Sequence, residues 1–215
     1  KAFFGGSLIA SVAQGWMLGA YITGLQSSTT SLLFSALIAM TLPALYLILG
    51  CGWLLMKTDG DLRNKAIGWA RMAIWPMGLG LFMVSIATPM VSSSIAEKWF
   101  TLPNALYLMP IPMVCVFCYG VIVMALNKPT VLNQGYSWLI FACTVAICLM
   151  ASLGLAYSIF PDIVIGGLTI WESAASVKSL QFTLVGVVIT LPVILFYTFF
   201  VYRIFHGKAT ALSYE

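Results

Sequence analysis

Long apolar runs separated by short polar connections organise this chain. The runs fall at 3–24, 32–56, 68–91, 104–126, 136–159 and 179–204. A hydrocarbon core of about 30 Å needs about 20 apolar residues as a helix, so each run is long enough to span it. The runs are continuously apolar rather than alternating, and each exceeds the roughly 10 residues of a membrane strand. The pattern predicts an all-α fold: one polytopic transmembrane helix bundle of about six spans, occupying residues 1–215 as a single domain. Pro43, Pro76, Pro89, Pro110, Pro112 and Pro192 lie within the runs. Membrane helices tolerate proline where neighbours satisfy the freed carbonyls. Small residues cluster in GGSLIAS (5–11) and GLGL (78–81), faces on which helices can approach closely.

Composition narrows the class. Of the 215 residues, 61% are hydrophobic and 7% charged, against about 25% charged in a soluble domain. The chain is therefore an integral membrane protein. Its net charge of +4 makes no nucleic-acid footprint, because ten basic residues are scattered along the whole chain. Their placement bears on orientation instead. If the spans alternate, Lys1, Lys57, Arg63, Lys65, Arg71, Lys128, Arg203 and Lys208 gather on one side, and Lys98 and Lys178 on the other. The positive-inside rule puts the larger group, and with it the C-terminus, in the cytoplasm.

The connections carry most of the polar chemistry. In KTDGDLRNKAIGWAR (57–71), Asp59 and Asp61 suit the positive end of a new helix, and Thr58 with Asp61 has a T-x-x-D capping spacing. Arg63 follows at headgroup depth. This link is either a solvated turn or a docking point for a partner's loop. The stretch PDIVIGGLTIWESAA (161–175) is too long for a tight turn and too polar for a span. It holds Asp162 and Glu172, two of the six acids, with Trp171 beside the second. By the charge count it faces outside. Other tryptophans, tyrosines and phenylalanines flank the runs as an interfacial belt.

Within the runs little chemistry is available. Their central parts hold no ionisable residue, as an ion pathway would require. Arg71, at a span end, can snorkel. Gln14 is the most polar deep side chain, and its amide must meet either another helix or a bound molecule. The sole histidine, His206, lies just past the last run and cannot reach mid-bilayer as a haem ligand. Cys51, Cys115, Cys118, Cys143 and Cys148 all lie in apolar runs and read as packing residues. No phosphate-binding glycine loop, metal cluster or catalytic triad is present. These residues suggest a scaffold or partner subunit that binds no cofactor by itself.

Three stretches carry a family resemblance: FFGGSLIASVAQGWMLGAYITG (3–24), GCGWLLMKTDGDLRNKA (50–66) and FPDIVIGGLTIWESAASVKSLQFTLVGVVITLPVILFYTFFVYRIFHGK (160–208). Together they resemble subunit II of the cytochrome bd-type quinol oxidases, a group that includes the cyanide-insensitive oxidases. The resemblance implies a respiratory complex of the bacterial plasma membrane that oxidises quinol and reduces O2 to water. It implies a haem-bearing subunit I carrying haems b and d and the quinol site. Subunit II would stabilise that partner amid membrane lipid and, in some members, hold a structural quinone. The family also has earlier spans with a Trp-Asp motif, so the resemblance implies the C-terminal part of a longer subunit, and no proton-path residue carries over. Where the family has Trp-Asp in the outer loop, this chain has Trp171-Glu172. Gly166-Gly167 stands where a proline-rich turn is common, which implies a more flexible loop.

On this resemblance Trp171, Glu172 and Asp162 are candidates for the subunit interface, with Asp59 and Arg63 on the other side of the membrane. The loop would pack over the bundle, with Trp171 inserted and Glu172 hydrogen-bonded. Alternatively Trp171 anchors at the interface and Glu172 is solvated. Gln14 is a candidate quinone or interhelical contact. A permease and an assembly scaffold of another complex are the competing readings; co-purified haem or substrate flux would separate them.

Overall fold

The computed structural model describes residues 1–208 except 92, 129, 131, 133 and 166. All regular elements among the described residues are helical. They are α1 (Ala2–Ile22), α2 (Thr29–Lys57), α3 (Gly60–Val91), α4 (Ser93–Phe100), α5 (Asn104–Leu108), α6 (Pro110–Asn127), α7 (Trp138–Ile159) and α8 (Val177–Ile204). Among the described residues six stretches are long and apolar enough to cross a membrane, corresponding to the six runs.

The boundaries move where polar groups decide them. Helix α3 starts at Gly60 rather than 68, so most of the charged link is helical. Gly60 has φ +69°, a left-handed conformation that glycine adopts without strain, and it turns the chain sharply from α2 into α3. Thr58 does not cap α3. Its hydroxyl donates back to Leu54 O at 2.7 Å and closes the end of α2. The fourth run is broken between Leu108 and Pro110. Pro110 opens α6, where its missing N–H leaves no intrahelical bond unmade. Pro110 and Pro112 thus start a helix rather than kink one. Helix α2 begins with Ser28, whose side chain accepts from Ser31 N at 3.2 Å, and α8 with Ser176, which accepts from Ser179 N at 3.4 Å.

Helix α2 lies at the centre, against α1, α3 and α7, and α6 packs on α7. The larger core joins Ile48 and Leu55 of α2, Ala66, Ala70, Ala73 and Met77 of α3, Ile122 of α6, and Ile140 and Ile147 of α7. The α3 members recur every three or four residues, one face of a helix. A second cluster joins Ile22, Phe34, Ile38 and Ile95, with Ile165 of the last loop packed against it.

Helices α1 and α2 cross backbone against backbone. A Cβ on Gly19 would lie 2.4 Å from Ser35 Cα, and one on Gly15 2.6 Å from Ala39 Cα. Two small-x-x-x-small faces therefore meet backbone to backbone. The Gly5-Gly6 pair of the expected stretch meets nothing within 4 Å. Gly78 and Gly80 do lie at contacts, under Tyr119 and Thr41.

Helix α8 differs from the rest. None of its 28 residues is buried. All are exposed except the half-buried Val201, and Tyr202 beside it meets Trp53 of α2.

Candidate functional site

The polar side chains assemble at the two ends of the bundle, and at each end basic residues cap helices in trans. The last carbonyls of a helix have no intrahelical donor, and hydrocarbon offers none. Arg71 Nε and Nη2 donate to Leu126 O at 2.9 and 2.6 Å, so the guanidinium turns to the end of α6 instead of snorkelling outward. Lys57 Nζ donates to Phe205 O, His206 O and Gly207 O at 2.8, 2.9 and 3.1 Å, closing the end of α8. The same ammonium sits 5.3 Å from the Trp53 ring, and Trp53 meets Tyr202 edge-on at 5.9 Å.

Asp59 and Arg63 belong to this end. Asp59 accepts from Lys208 Nζ at 2.8 and 2.9 Å. Arg63 Nη2 donates to Leu132 O at 2.6 Å and Ser137 Oγ at 3.0 Å. Together they hold α3, the α6–α7 connection and the end of α8 in one cluster.

At the opposite end, Lys98 Nζ donates to Ser158 O and Phe160 O at 3.1 and 2.6 Å, and Trp99 Nε1 to Ser158 Oγ at 2.8 Å. These contacts cap α7 just before residues 160–176. The described residues of that loop bond to one another. Asp162 and Thr169 form an isolated antiparallel bridge, and Ile163 N donates to Leu168 O at 2.8 Å. Gly166 lies outside the described residues; Gly167 N donates to Val164 O at 2.9 Å. Ile165 lies over the α1–α2 turn, its carbonyl 2.8 Å from where a Gly24 Cβ would be, so Gly24, at φ +66°, has no room for a side chain.

Glu172 is hydrogen-bonded within the loop. Thr169 donates to Glu172 Oε2 from its backbone N at 2.9 Å and its hydroxyl at 2.8 Å. Glu172 N returns a bond to Thr169 Oγ1 at 3.3 Å. This is a reciprocal T-x-x-E box that sequence reading missed, although Thr169 and Glu172 have the same signature spacing considered at Thr58 and Asp61. Bonds from the Thr169 backbone and hydroxyl hold the Glu172 carboxyl below its ordinary value. Trp171 is not inserted into this chain. The residue is 67% exposed, and its ring touches Phe160 near edge-on at 5.9 Å.

Between the ends, Tyr46 OH donates to Gln14 Oε1 at 3.0 Å, joining α1 to α2. Thr23 and Ser31 share a hydroxyl–hydroxyl contact where the same two helices meet the turn. The five cysteines are free, with Cys51, Cys118 and Cys143 buried.

The family described as cytochrome bd terminal oxidase subunit II matches residues 1–205. The chain belongs to this family. Comparison with curated proteins finds no match. As a subunit II, the chain is a multi-pass membrane component of an oxidoreductase complex. The family implies haem in that complex. His206 Nδ1 lies 2.8 Å from Arg203 O in the exposed segment after α8. No group of three or more His, Cys, Asp or Glu able to hold a metal occurs among the described residues.

Proposed function

We propose that this subunit II is the partner that supplies no haem ligand in a bacterial plasma-membrane oxidase, which oxidises quinol and reduces O2 to water. The family match over residues 1–205 carries this reading. Haems b and d and the quinol site then belong to the haem-bearing subunit I. The end holding Lys57, Asp59 and Arg63 faces the cytoplasm together with the C-terminus. The 160–176 loop lies outside, and its exposed Trp171 docks on subunit I, with Glu172 holding the loop in shape and Asp162 anchoring its bridge. Asp59 contributes by tying Lys208, just past α8, and Arg63 by holding the α6–α7 connection. Gln14 and Tyr46 would offer a structural quinone a donor and an acceptor in mid-span.

The test is purification of the tagged chain from its native membrane in mild detergent, followed by a reduced-minus-oxidised spectrum. Haem b and d bands with a co-purifying larger subunit are expected. A colourless preparation would sink the oxidase reading. Trp171→Ala is expected to lower recovery of the partner. Undiminished assembly in both Trp171→Ala and Glu172→Ala would remove the docking role.

A further inference from the structure

A cavity of about 460 Å³ opens where α2 ends and α7 begins. Polar residues dominate its lining, with Arg63, Lys208, Asp59 and Ser137, and Met56 and Trp138 supply an apolar part. Arg63 is fixed in place by its bonds to Leu132 O and Ser137 Oγ. Lys208 is held by Asp59 at 2.8 Å but remains 56% exposed. Two cations and one carboxylate leave one positive charge on the lining.

The depth of the site decides what could fill it. It lies at a helix end, beside Trp138, which is half exposed and starts α7. Indole rings of this kind mark headgroup level. Helix α8 ends nearby, where Tyr202 meets Trp53 of α2 at 5.9 Å, and its residues bury nothing against this chain. An occupant must therefore be anionic at one end and apolar beyond it. Free phosphate would use the polar residues and leave the apolar part bare; an acyl chain would cover that part.

We propose that this cavity binds the phosphate headgroup of an anionic phospholipid, with its acyl chains lying along α2 toward α8. Arg63 and Lys208 hold the phosphodiester, Ser137 helps to fix the Arg63 guanidinium, and Asp59 limits the net charge so that a monoanionic head is matched. Basic pockets between membrane helices recognise anionic headgroups in this way. The inference requires only that the chain spans a membrane, and it survives or fails independently of the oxidase reading.

The test uses the intact purified complex, reconstituted separately with phosphatidylglycerol and with phosphatidylcholine, and native mass spectrometry of retained lipid. Phosphatidylglycerol should be retained over phosphatidylcholine. Retention should fall about fivefold in Arg63→Gln and in Lys208→Gln, the size expected for one basic residue near a charged surface. Asp59→Asn should raise retention, which no loss of folding would do. Arg63→Lys should keep most of it. Equal retention of the two lipids, or retention unchanged in both charge-removing variants, would overturn the proposal. So would displacement of the lipid by millimolar inorganic phosphate, which would make the site one for a free anion. The reduced-minus-oxidised spectrum reports separately on the oxidase reading.

Discussion

Gly19→Ala should destabilise the α1–α2 crossing, and the geometry sets the size of the effect. The added Cβ would lie 2.4 Å from Ser35 Cα and 2.9 Å from Ser35 Cβ and Oγ. Ordinary carbon contacts lie near 3.5–4.0 Å, so the helices are short of room by about 1 Å. The nearest obstacle is backbone, which no rotamer change removes. The helices must part, and a gap of about 1 Å forfeits roughly a quarter to a half of each contact that lines it. Overpacking of this kind costs about 1–3 kcal/mol. Separation would also loosen the Thr23–Ser31 contact beside the turn. Gly15 lies one turn earlier on the same face, so Gly15→Ala should behave alike, and the double variant should cost less than the sum because one displacement relieves both clashes. Gly6→Ala is the control on the same helix, since its Cβ meets nothing within 4 Å. Thermal unfolding of the purified complex in mild detergent reads the difference. Gly19→Ala as stable as Gly6→Ala would refute the close crossing.

Arg71→Met should cost about 1–3 kcal/mol by leaving Leu126 O without its donors, with Arg71→Lys partly restoring it, read by the same unfolding assay. Lys57→Met frees three carbonyls at the end of α8 and should increase thiol labelling of a cysteine placed at Phe205; unchanged labelling would count against the clamp. Glu172 has a folded pKa depressed below its ordinary 4.5, so its contribution to loop order is present above that value and is lost as pH falls through the folded pKa. Trp171 emission, isolated with Trp171→Phe, should report this change as pH falls below about 4.5, and Glu172→Gln should abolish the dependence.

The six spans were legible because hydrocarbon imposes one requirement on sequence, a run of about 20 apolar residues. Features set by contact between elements were not legible. The start of α3 was hidden because its first turns carry Asp61, Arg63 and Lys65, which lower the apolar signal without opposing a helix. The break in the fourth run shows that Pro110 marks a beginning, which needs the position of α5 to recognise. Two capping spacings were present, at Thr58 and at Thr169. The left-handed Gly60 makes the first unusable, because the helix starts too late for Thr58 to reach it. Gly5-Gly6 and Gly15-x-x-x-Gly19 both satisfy the close-approach pattern, and only the second faces another helix. Spacing identifies a face; it does not say which neighbour the face meets.

Helix termination and membrane orientation draw on the same basic residues. Lys57, Arg63 and Arg71 each close carbonyls of another element at one end, and Lys98 does so at the other. Their positions are therefore fixed by helix termination as well as by any insertion signal, so a count that includes them mixes two causes. Removing them leaves Lys1, Lys65, Lys128, Arg203 and Lys208 on one side against Lys178 on the other. The bias keeps its direction when only residues without a capping bond are counted. The charge bias that predicts the orientation therefore does not depend on the capping cations, although one of those left, Lys208, also pairs with Asp59 at 2.8 Å. Reversing the orientation should require moving the remaining cations, whereas exchanging Lys57 or Arg71 for methionine should cost stability and leave the topology as it is.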